Sequence, residues 1–270
     1  MKKALRQLES YMPLVDMVIL LLDARVPESS LNPDLQRLIG SHKCVYVLNK
    51  ADLAESAVTS NWLNWFSTQG YKSISMSANG SGIAGKLIKA IEEVRDGVTE
   101  KHAIKKRIDR EVRIMVLGIP NSGKSTLINK IAGKAVVATG KKAGLTRGLQ
   151  WIALRNDIKM LDVPGIFYPR LKDEEQAWHL AAVGAAREVA FPIDELAGEI
   201  LLFLKSKNHD ITADMPDTSI EEMLLFIGKK KNFILKQGKI DYERTAMWII
   251  TGFRDGTFGK FSLEAPTFEK

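Results

Sequence analysis

A glycine-rich loop between a strand-like and a helix-like segment constrains this chain more than any other feature. The apolar run 112–117 stops at Gly118, and the pattern G-x-x-x-x-G-K-S then runs to Ser125. Helical spacing of apolar residues resumes over 127–131. In such a loop the backbone N–H groups point at phosphate oxygens, the lysine reaches the terminal phosphates, and the following helix presents its positive end. The flanking segments favour a phosphate-binding loop over an accidental glycine turn.

Size and composition set broad limits on the rest of the chain. The 270 residues are enough for an α/β domain and a smaller second domain. The single cysteine, Cys44, lies in an apolar run and predicts a core residue in a reducing cytoplasm. The net charge of +7 favours an anionic macromolecular partner such as RNA or DNA. The apolar run 17–22 is too short for a membrane span, so we expect a cytoplasmic protein without one.

Apolar runs that alternate with helical patterns predict a parallel sheet over the first part of the chain. The expected strands are 15–22, 44–48, 72–76 and 112–117, and a hairpin is expected over 149–154 and 158–161. The expected helices are 2–12, 33–39, 58–69 and 83–94. This order is typical of a doubly wound, mostly parallel sheet.

The pattern changes after about residue 172. Only helices are indicated there, over 174–189, 193–204, 219–228 and 242–252. We place a boundary near Phe167–Lys172, with an α/β domain over 1–167 and a small all-helical domain over 168–270.

Asn49-Lys50-Ala51-Asp52 follows the second predicted strand and indicates a base-reading segment. The Asp52 carboxylate can accept two hydrogen bonds from the N1–H and exocyclic amine of guanine, which adenine does not offer. Ser77-Ala78 follows the next strand and offers a backbone N–H to the guanine carbonyl oxygen, a weak signal by itself. Taken singly, each segment could be a turn, and only their combination with the phosphate loop makes that improbable.

Two further segments suit the terminal phosphate and a metal ion. Asp162-Val163-Pro164-Gly165 follows the phosphate loop at a distance that suits a Walker-B-type aspartate, with the Gly165 N–H at the γ-phosphate. Thr146, in a glycine-rich basic loop, can give its hydroxyl to Mg²⁺ and its N–H to the γ-phosphate. We therefore predict Ser125, Thr146 and Asp162 as Mg²⁺ ligands.

These motifs, in this order, resemble those of a known protein family. The motifs resemble those of translation-factor-type GTPases, but the guanine-reading segments precede the phosphate loop, as in circularly permuted GTPases. Three further features resemble the ribosome biogenesis GTPase A (YlqF) family: Asp23-Ala24-Arg25-Val26-Pro27, the G-x-P-N-x-G-K-S-T form of the loop, and the helical C-terminal domain. The resemblance implies a circularly permuted P-loop GTPase domain, assembly of the large ribosomal subunit, and C-terminal helices that touch rRNA.

The catalytic group that orients the attacking water is not evident. Ile166 follows the D-x-x-G segment where Ras-like enzymes place a glutamine, a hydrophobic replacement for which the family is known. The family's N-terminal G-H-M-x-K-A motif is matched only by Met1-Lys2-Lys3-Ala4, without the histidine. In related GTPases an asparagine at the position of Asn121 helps to hold K⁺, although Asn121 could equally just stabilise the loop.

The expected nucleotide-binding residues form one set: Asn49, Lys50, Ala51, Asp52, Ser77, Ala78, Asn121, Ser122, Gly123, Lys124, Ser125, Thr126 and Gly165. Lys124, Thr146 and Asn121 are the catalytic candidates. The expected partners are GTP, GDP and the large-subunit precursor, with its rRNA and ribosomal proteins; the expected cofactors are Mg²⁺ and K⁺.

Three functional hypotheses follow. The leading one is a slow GTPase that acts as a switch in large-subunit assembly and is stimulated by the particle. The second is a nucleotide-gated RNA-binding scaffold with negligible hydrolysis, which Ile166 and the missing histidine suggest. The third, an ATPase, is disfavoured by Asn49 and Asp52. Two basic segments could contact RNA or simply be solvated: Lys229–Lys231 with Lys236 and Lys239, and the connector Lys101–Arg113.

Overall fold

A computed structural model of the chain describes the residues 2–31, 33–77, 80, 82–96, 111–133, 150–155, 158–162, 173–186, 191–216, 218–236 and 238–267. The chain divides into two compact units. The first contains Met1–Pro169 together with Phe261–Lys270, and the second contains Arg170–Lys260.

The first unit is an α/β structure. Its elements are α1 (Lys2–Tyr11), β1 (Met17–Asp23), α2 (Pro27–Ser30), α3 (Pro33–Ile39), β2 (Lys43–Asn49), α4 (Ser56–Thr68), β3 (Lys72–Ser75), α5 (Ile83–Asp96), β4 (Val112–Gly118), α6 (Lys124–Ala132), β5 (Gln150–Arg155) and β6 (Ile158–Asp162). In the described part of this unit, six strands form one sheet in the order β3-β2-β1-β4-β6-β5. All neighbours are parallel except β5 and β6, which form the predicted hairpin.

The sheet is buried on both faces because its central strands are apolar at nearly every position. All seven residues of β1 are buried. Ile19 and Leu21 join a core cluster with α5 and α6, whereas Leu20 and Leu22 join a cluster on the other face with α1, α3 and α4. This alternation confirms the predicted doubly wound sheet.

The chain reverses direction across the sheet beside β1. The first three strands are added outward on one side of β1, and β4 then pairs with its other side. In open α/β sheets ligands bind at such a switch point, outside the carboxyl ends of the strands. The crevice here is flanked by Asp23 at the end of β1 and Gly118 at the end of β4.

The second unit is helical in its described part. Its helices are α7 (Glu174–Ala182), α8 (Ile193–Ser206), α9 (Ile220–Lys230) and α10 (Tyr242–Asp255). Asp173, Ser219 and Asp241 cap three of these helices by accepting a hydrogen bond from a first-turn N–H. The helices pack closely, because a Cβ on Gly198 of α8 would lie 2.7 Å from the Ile220 side chain. Within the described residues, no helix combines the length and apolar character needed to cross a bilayer.

Two predicted boundaries differ from the structure. The helix predicted over 174–189 ends at Ala182, because Gly184 adopts φ +76° and the N–H of Ala185 donates to the carbonyl of Leu180. The helical domain predicted over 168–270 does not extend to the end of the chain, because the C-terminal segment from Phe261 belongs to the first unit. The predicted boundary at 167–172 lies outside the described residues.

Candidate functional site

The phosphate loop is shaped by backbone conformations that few residues tolerate. Gly118 has φ +154°, and a Cβ there would lie 2.4 Å from the carbonyl oxygen of Leu21 in the neighbouring strand. Asn121 has φ +57° and Gly123 has φ +96°, so the loop turns twice through the left-handed region. Asparagine tolerates this region better than most residues, which gives Asn121 a structural role in the loop.

The Lys124 side chain folds over the loop that precedes it. Its Nζ donates to the carbonyl oxygens of Gly118, at 3.1 Å, and Ile119, at 2.9 Å, and the residue is buried. Lys124 is the first residue of α6, so its ammonium adds to the positive end of that helix. Ser125 and Thr126 follow in the first turn of α6. This arrangement suits an anion in the concave face of the loop.

A buried hydrogen bond joins the base-reading segment to the phosphate loop. Asn49 ends β2, and its Nδ2 donates to the carbonyl oxygen of Ser122 at 2.6 Å. Both residues are 1% exposed, so the bond is shielded from water. The structure thus brings together two segments that lie more than 70 positions apart in the sequence.

The lysine of the base-reading segment belongs to a buried ionic network. The Asp23 carboxylate, 1% exposed, accepts from Nε and Nη2 of Arg25, both at 3.0 Å, and from Nζ of Lys50 at 2.9 Å. Burial alone would raise the pKa of the Asp23 carboxyl. The charges of Arg25 and Lys50, with their hydrogen bonds, outweigh burial and hold that pKa below its usual range. Asp23 therefore stays ionised and fixes the Lys50 side chain.

Asp52 stands at the exposed edge of this network. The N–H of Ala51 donates to the carbonyl of Met76 at 3.1 Å, and the N–H of Leu53 donates to the carbonyl of Lys50 at 2.9 Å. These bonds fix the backbone on both sides of Asp52, whose side chain is exposed. The first bond also places Ser77, next to Met76, beside the base-reading segment.

Several predicted site residues lie outside the described part of the chain. They are Ala78, Thr146, Gly165 and, among the residues discussed for catalysis, Ile166. Asp162 is the last residue of β6, where its Cα pairs with that of Val116, two residues before Gly118. Asp162 and the phosphate loop therefore lie at the same edge of the sheet.

The oxygen donors predicted for a metal ion fit Mg²⁺. Hydroxyl and carboxylate groups are the hard ligands that this ion prefers, and a GTPase site usually supplies few of them because phosphates and water complete the coordination. Proteins with this kind of GTPase domain generally use Mg²⁺.

Sequence reasoning missed part of the site. The segment Asp23–Pro27 and Lys50 both entered the sequence analysis, but the ion pair between Asp23 and Lys50 was not predicted. Glu55, Ser262 and Glu264 were not identified at all. The Ser262 and Glu264 side chains bind the loops that follow β2 and β1, and the Glu55 carboxylate accepts from the N–H of Ser262. No local pattern marks these residues, because their partners are more than 200 positions away.

Comparisons with known proteins agree with this geometry. Residues 113–236 match the protein family described as 50S ribosome-binding GTPase. That match begins in β4, so the base-reading segment lies before it, as a circular permutation requires. The chain is 33% identical to ribosome biogenesis GTPase A of Priestia megaterium over 99% of this chain and 95% of the relative.

Two solved structures are also similar to the chain. The GDP-bound structure of YlqF has a TM-score of 0.72 and 29% identity, covering 97% of this chain and 99% of the other. The GNP-bound YlqF of Thermotoga maritima has a TM-score of 0.69 and 29% identity, covering 97% and 98%.

Proposed function

Since the chain belongs to the ribosome biogenesis GTPase A family, and is thus a GTP-binding GTPase of ribosome biogenesis, we propose that it is a nucleotide-dependent switch in assembly of the large ribosomal subunit. The observation that most supports a switch driven by guanine nucleotide is the buried bond between Asn49 and Ser122. It couples the segment suited to read the base with the loop suited to hold the phosphates. We also propose the cytoplasm as its compartment.

The proposed hydrolysis relies mainly on positioning and charge compensation. Lys124 would bind the β- and γ-phosphates, and the N–H groups of Thr146 and Gly165 would contact the γ-phosphate. Ser125, Thr146 and Asp162 would hold Mg²⁺, whose charge offsets that of the phosphate oxygens. The attacking water has no glutamine to orient it, because Ile166 occupies that place. Slow hydrolysis by the isolated protein is therefore expected.

Guanine recognition is proposed to rest on Asp52, Asn49 and Ser77-Ala78. Asp52→Asn exchanges the carboxylate for an amide and should shift the preference from GTP toward xanthosine triphosphate, whose base offers the complementary donors and acceptors. The measurement is the ratio of the two dissociation constants in wild type and variant. An unchanged ratio would show that Asp52 does not read the base.

Asn121 is proposed to help hold K⁺ beside the phosphates. Asn121→Gly is a suitable variant, because glycine accepts the positive φ of this position and only the side chain is lost. The wild type should hydrolyse GTP faster in K⁺ than in Na⁺, and the variant should lose that difference. Equal rates of the wild type in both salts would leave Asn121 with only its role in the loop.

Stimulation by the ribosomal particle separates a switch from a scaffold with negligible hydrolysis. We expect multiple turnovers of GTP when large subunits are added, and slow turnover without them. A rate that stays negligible with large subunits would favour the scaffold. The rate with small subunits is the matched control.

The second unit presents a basic and aromatic surface that we propose contacts rRNA. Lys231 Nζ lies 4.8 Å from the ring centre of Trp248, and the Arg244 guanidinium lies 4.5 Å from that of Phe233. Exposed Leu235 precedes Lys236, and exposed Lys239 follows shortly after. Cations beside apolar and aromatic groups suit phosphates beside unpaired bases. Part of the predicted run has another role, because Lys230 donates to the carbonyls of Asp210 and Ile211.

This surface can be tested by the salt dependence of rRNA binding. Lys236→Ala with Lys239→Ala should weaken binding and lower the slope of log affinity against log salt by about 1 to 2. Lys89→Ala with Lys130→Ala is the control, since these substitutions remove the same charge from exposed positions of the first unit. Equal effects of both pairs would point to net charge rather than to this surface.

A further inference from the structure

A segment near the C-terminal end of the chain contacts both loops beside the base-reading network. We call Phe261–Glu264 the tail segment; it belongs to the first unit, although the whole helical unit precedes it in sequence. Its partners are the turn after β1, which carries Arg25, and the loop after β2, which carries Asp52.

On one side, the tail segment forms three hydrogen bonds with the loop after β2. The N–H of Phe261 donates to the carbonyl of Leu53 at 3.0 Å. The N–H of Glu55 donates to Ser262 Oγ at 3.2 Å, and the N–H of Ser262 donates to Glu55 Oε2 at 3.1 Å. The reciprocal pair fixes Glu55 at the start of α4, where the helix has no side-chain cap of its own. Asp52 is thus followed closely by two residues that the tail segment holds.

On the other side, the tail segment binds the turn after β1. The N–H of Leu263 donates to the carbonyl of Arg25 at 2.9 Å. The Glu264 carboxylate accepts from the N–H of Ser29, at 3.1 and 3.2 Å, and from its hydroxyl. Val26 provides no side-chain cap for α2, so Glu264 supplies the acceptor in its place. The tail segment therefore supports the turn that aims Arg25 at Asp23.

These contacts are shielded and cross a large distance in sequence. Ser262 is 7% exposed and Ser29 is 4% exposed, and the bonds to Glu264 involve a charged acceptor. The indole N–H of Trp62 in α4 also donates to the backbone carbonyl of Glu264 at 3.2 Å. A frayed end would not have so many buried partners.

We propose that the tail segment is a positioning element for guanine recognition, which holds the Asp52 loop and the Asp23–Arg25–Lys50 network in one fixed arrangement. Asp52 is exposed, so its position depends largely on the backbone around it. The tail segment restrains that backbone from Leu53 to Glu55 and restrains the Arg25 turn at the same time. The inference rests on the proposed role of Asp52 as the residue that reads the base.

The test compares binding of GDP and IDP, whose base lacks the exocyclic amine that Asp52 would accept from. Ser262→Ala and Glu264→Ala are made separately in the full chain. The first removes the acceptor of the Glu55 N–H, and the second removes the acceptor of the Ser29 N–H and hydroxyl. We expect the preference for GDP over IDP to fall by about threefold to tenfold in each variant, as the loss of one or two hydrogen bonds implies. Thr267→Ala, an exposed position in the same terminal stretch, should leave the preference unchanged.

Two further variants separate positioning from a general loss of stability. Ile91→Val trims a buried side chain of α5 far from these loops in sequence, so it should lower the unfolding temperature and keep the preference for GDP. In an Asp52→Ala background, Ser262→Ala should have no further effect on the preference, because the group that it positions is gone.

The outcomes are distinct from those of the proposed function. Tail variants that keep the full preference for GDP, even if less stable, would overturn the positioning role, whatever Asp52 does. Failure of Asp52→Asn to favour xanthosine triphosphate would instead overturn the proposed base recognition by Asp52. An additional effect of Ser262→Ala in the Asp52→Ala background would also contradict the proposal.

Discussion

The loops that follow β2 and β4 are fixed in different ways, although both strands end at the same edge of the sheet. The phosphate loop is shaped by its own residues, since Gly118, Asn121 and Lys124 set its turns and satisfy its carbonyls within seven positions. The base-reading loop depends on residues from distant parts of the chain, among them Asp23 and Ser262. A local motif can therefore set the turns of the phosphate loop, whereas the guanine site depends more on the assembled fold.

The largest expected effect comes from removing a residue that supports the base-reading loop from a distant part of the chain. Asp23→Asn leaves the cations of Arg25 and Lys50 without their buried counter-charge, and should lower the free energy of unfolding by about 3–5 kcal/mol. Urea unfolding measures this loss. Asp34→Asn is the control, because its ion pair with Arg37 lies at the surface and should contribute less than about 1 kcal/mol. If Asp23→Asn loses no more stability than the control, the Asp23–Arg25–Lys50 network does not support the base-reading loop as described.

The same variant gives a prediction for acid pH. The pKa of Asp23 is lower in the folded than in the unfolded state, so ionised Asp23 stabilises the fold. This stabilisation is complete above the unfolded-state pKa of about 3.9 and is lost as the pH falls toward the folded-state pKa. The difference in unfolding free energy between wild type and Asp23→Asn should thus be constant near neutral pH and shrink below about pH 4. A difference that grows on acidification would contradict this sign.

The residues that shape the phosphate loop locally should matter most for the rate of hydrolysis. Lys124→Ala removes the ammonium that bonds to Gly118 and Ile119 and would bind the terminal phosphates, so single-turnover GTP hydrolysis should fall by about 100-fold to 1,000-fold. Lys130→Ala changes an exposed lysine of the same helix and should retain the wild-type rate. A comparable loss in both variants would show that charge on α6, rather than the position of Lys124, matters.

A smaller effect is expected from the backbone of the phosphate loop. Gly118→Ala brings a Cβ to the carbonyl of Leu21 and strains a positive φ, which should cost about 1–3 kcal/mol of stability. Gly85→Ala in α5 meets no atom within 4 Å and should instead stabilise the protein by about 0.5–1 kcal/mol. Thermal unfolding distinguishes the expected loss of stability from the expected gain. If Gly118→Ala leaves the stability unchanged, the loop can shift to accommodate the added Cβ.

The smallest effect should come from the bond that joins the two loops. Asn49→Ala removes the donor to the Ser122 carbonyl and should weaken GDP binding by about twofold to tenfold. Titration with a fluorescent GDP analogue measures the change. An affinity equal to that of the wild type would indicate that the loops keep their places without this link.

The sequence predicted the local features because local patterns determine them. The six consecutive apolar residues of β1 indicate a strand buried on both faces, and the glycines around Lys124 indicate the turns of the phosphate loop. The end of α7 was predicted incorrectly, because apolar spacing continues beyond Gly184 and hides the turn there. The Mg²⁺ and γ-phosphate residues Thr146 and Gly165 remain predictions, as they lie outside the described residues.

The doubly wound sheet, the phosphate loop and the order of the motifs that marks a permuted GTPase could all be predicted from the residues alone. The folded chain was needed to show that Asp23 binds Lys50, that Asn49 binds Ser122, and that the tail segment returns to the base-reading loop. The two groups of features differ in the sequence distance between the residues that interact. Turns and strands follow from neighbouring residues, whereas buried polar groups find their partners wherever the packed chain brings a matching donor or acceptor.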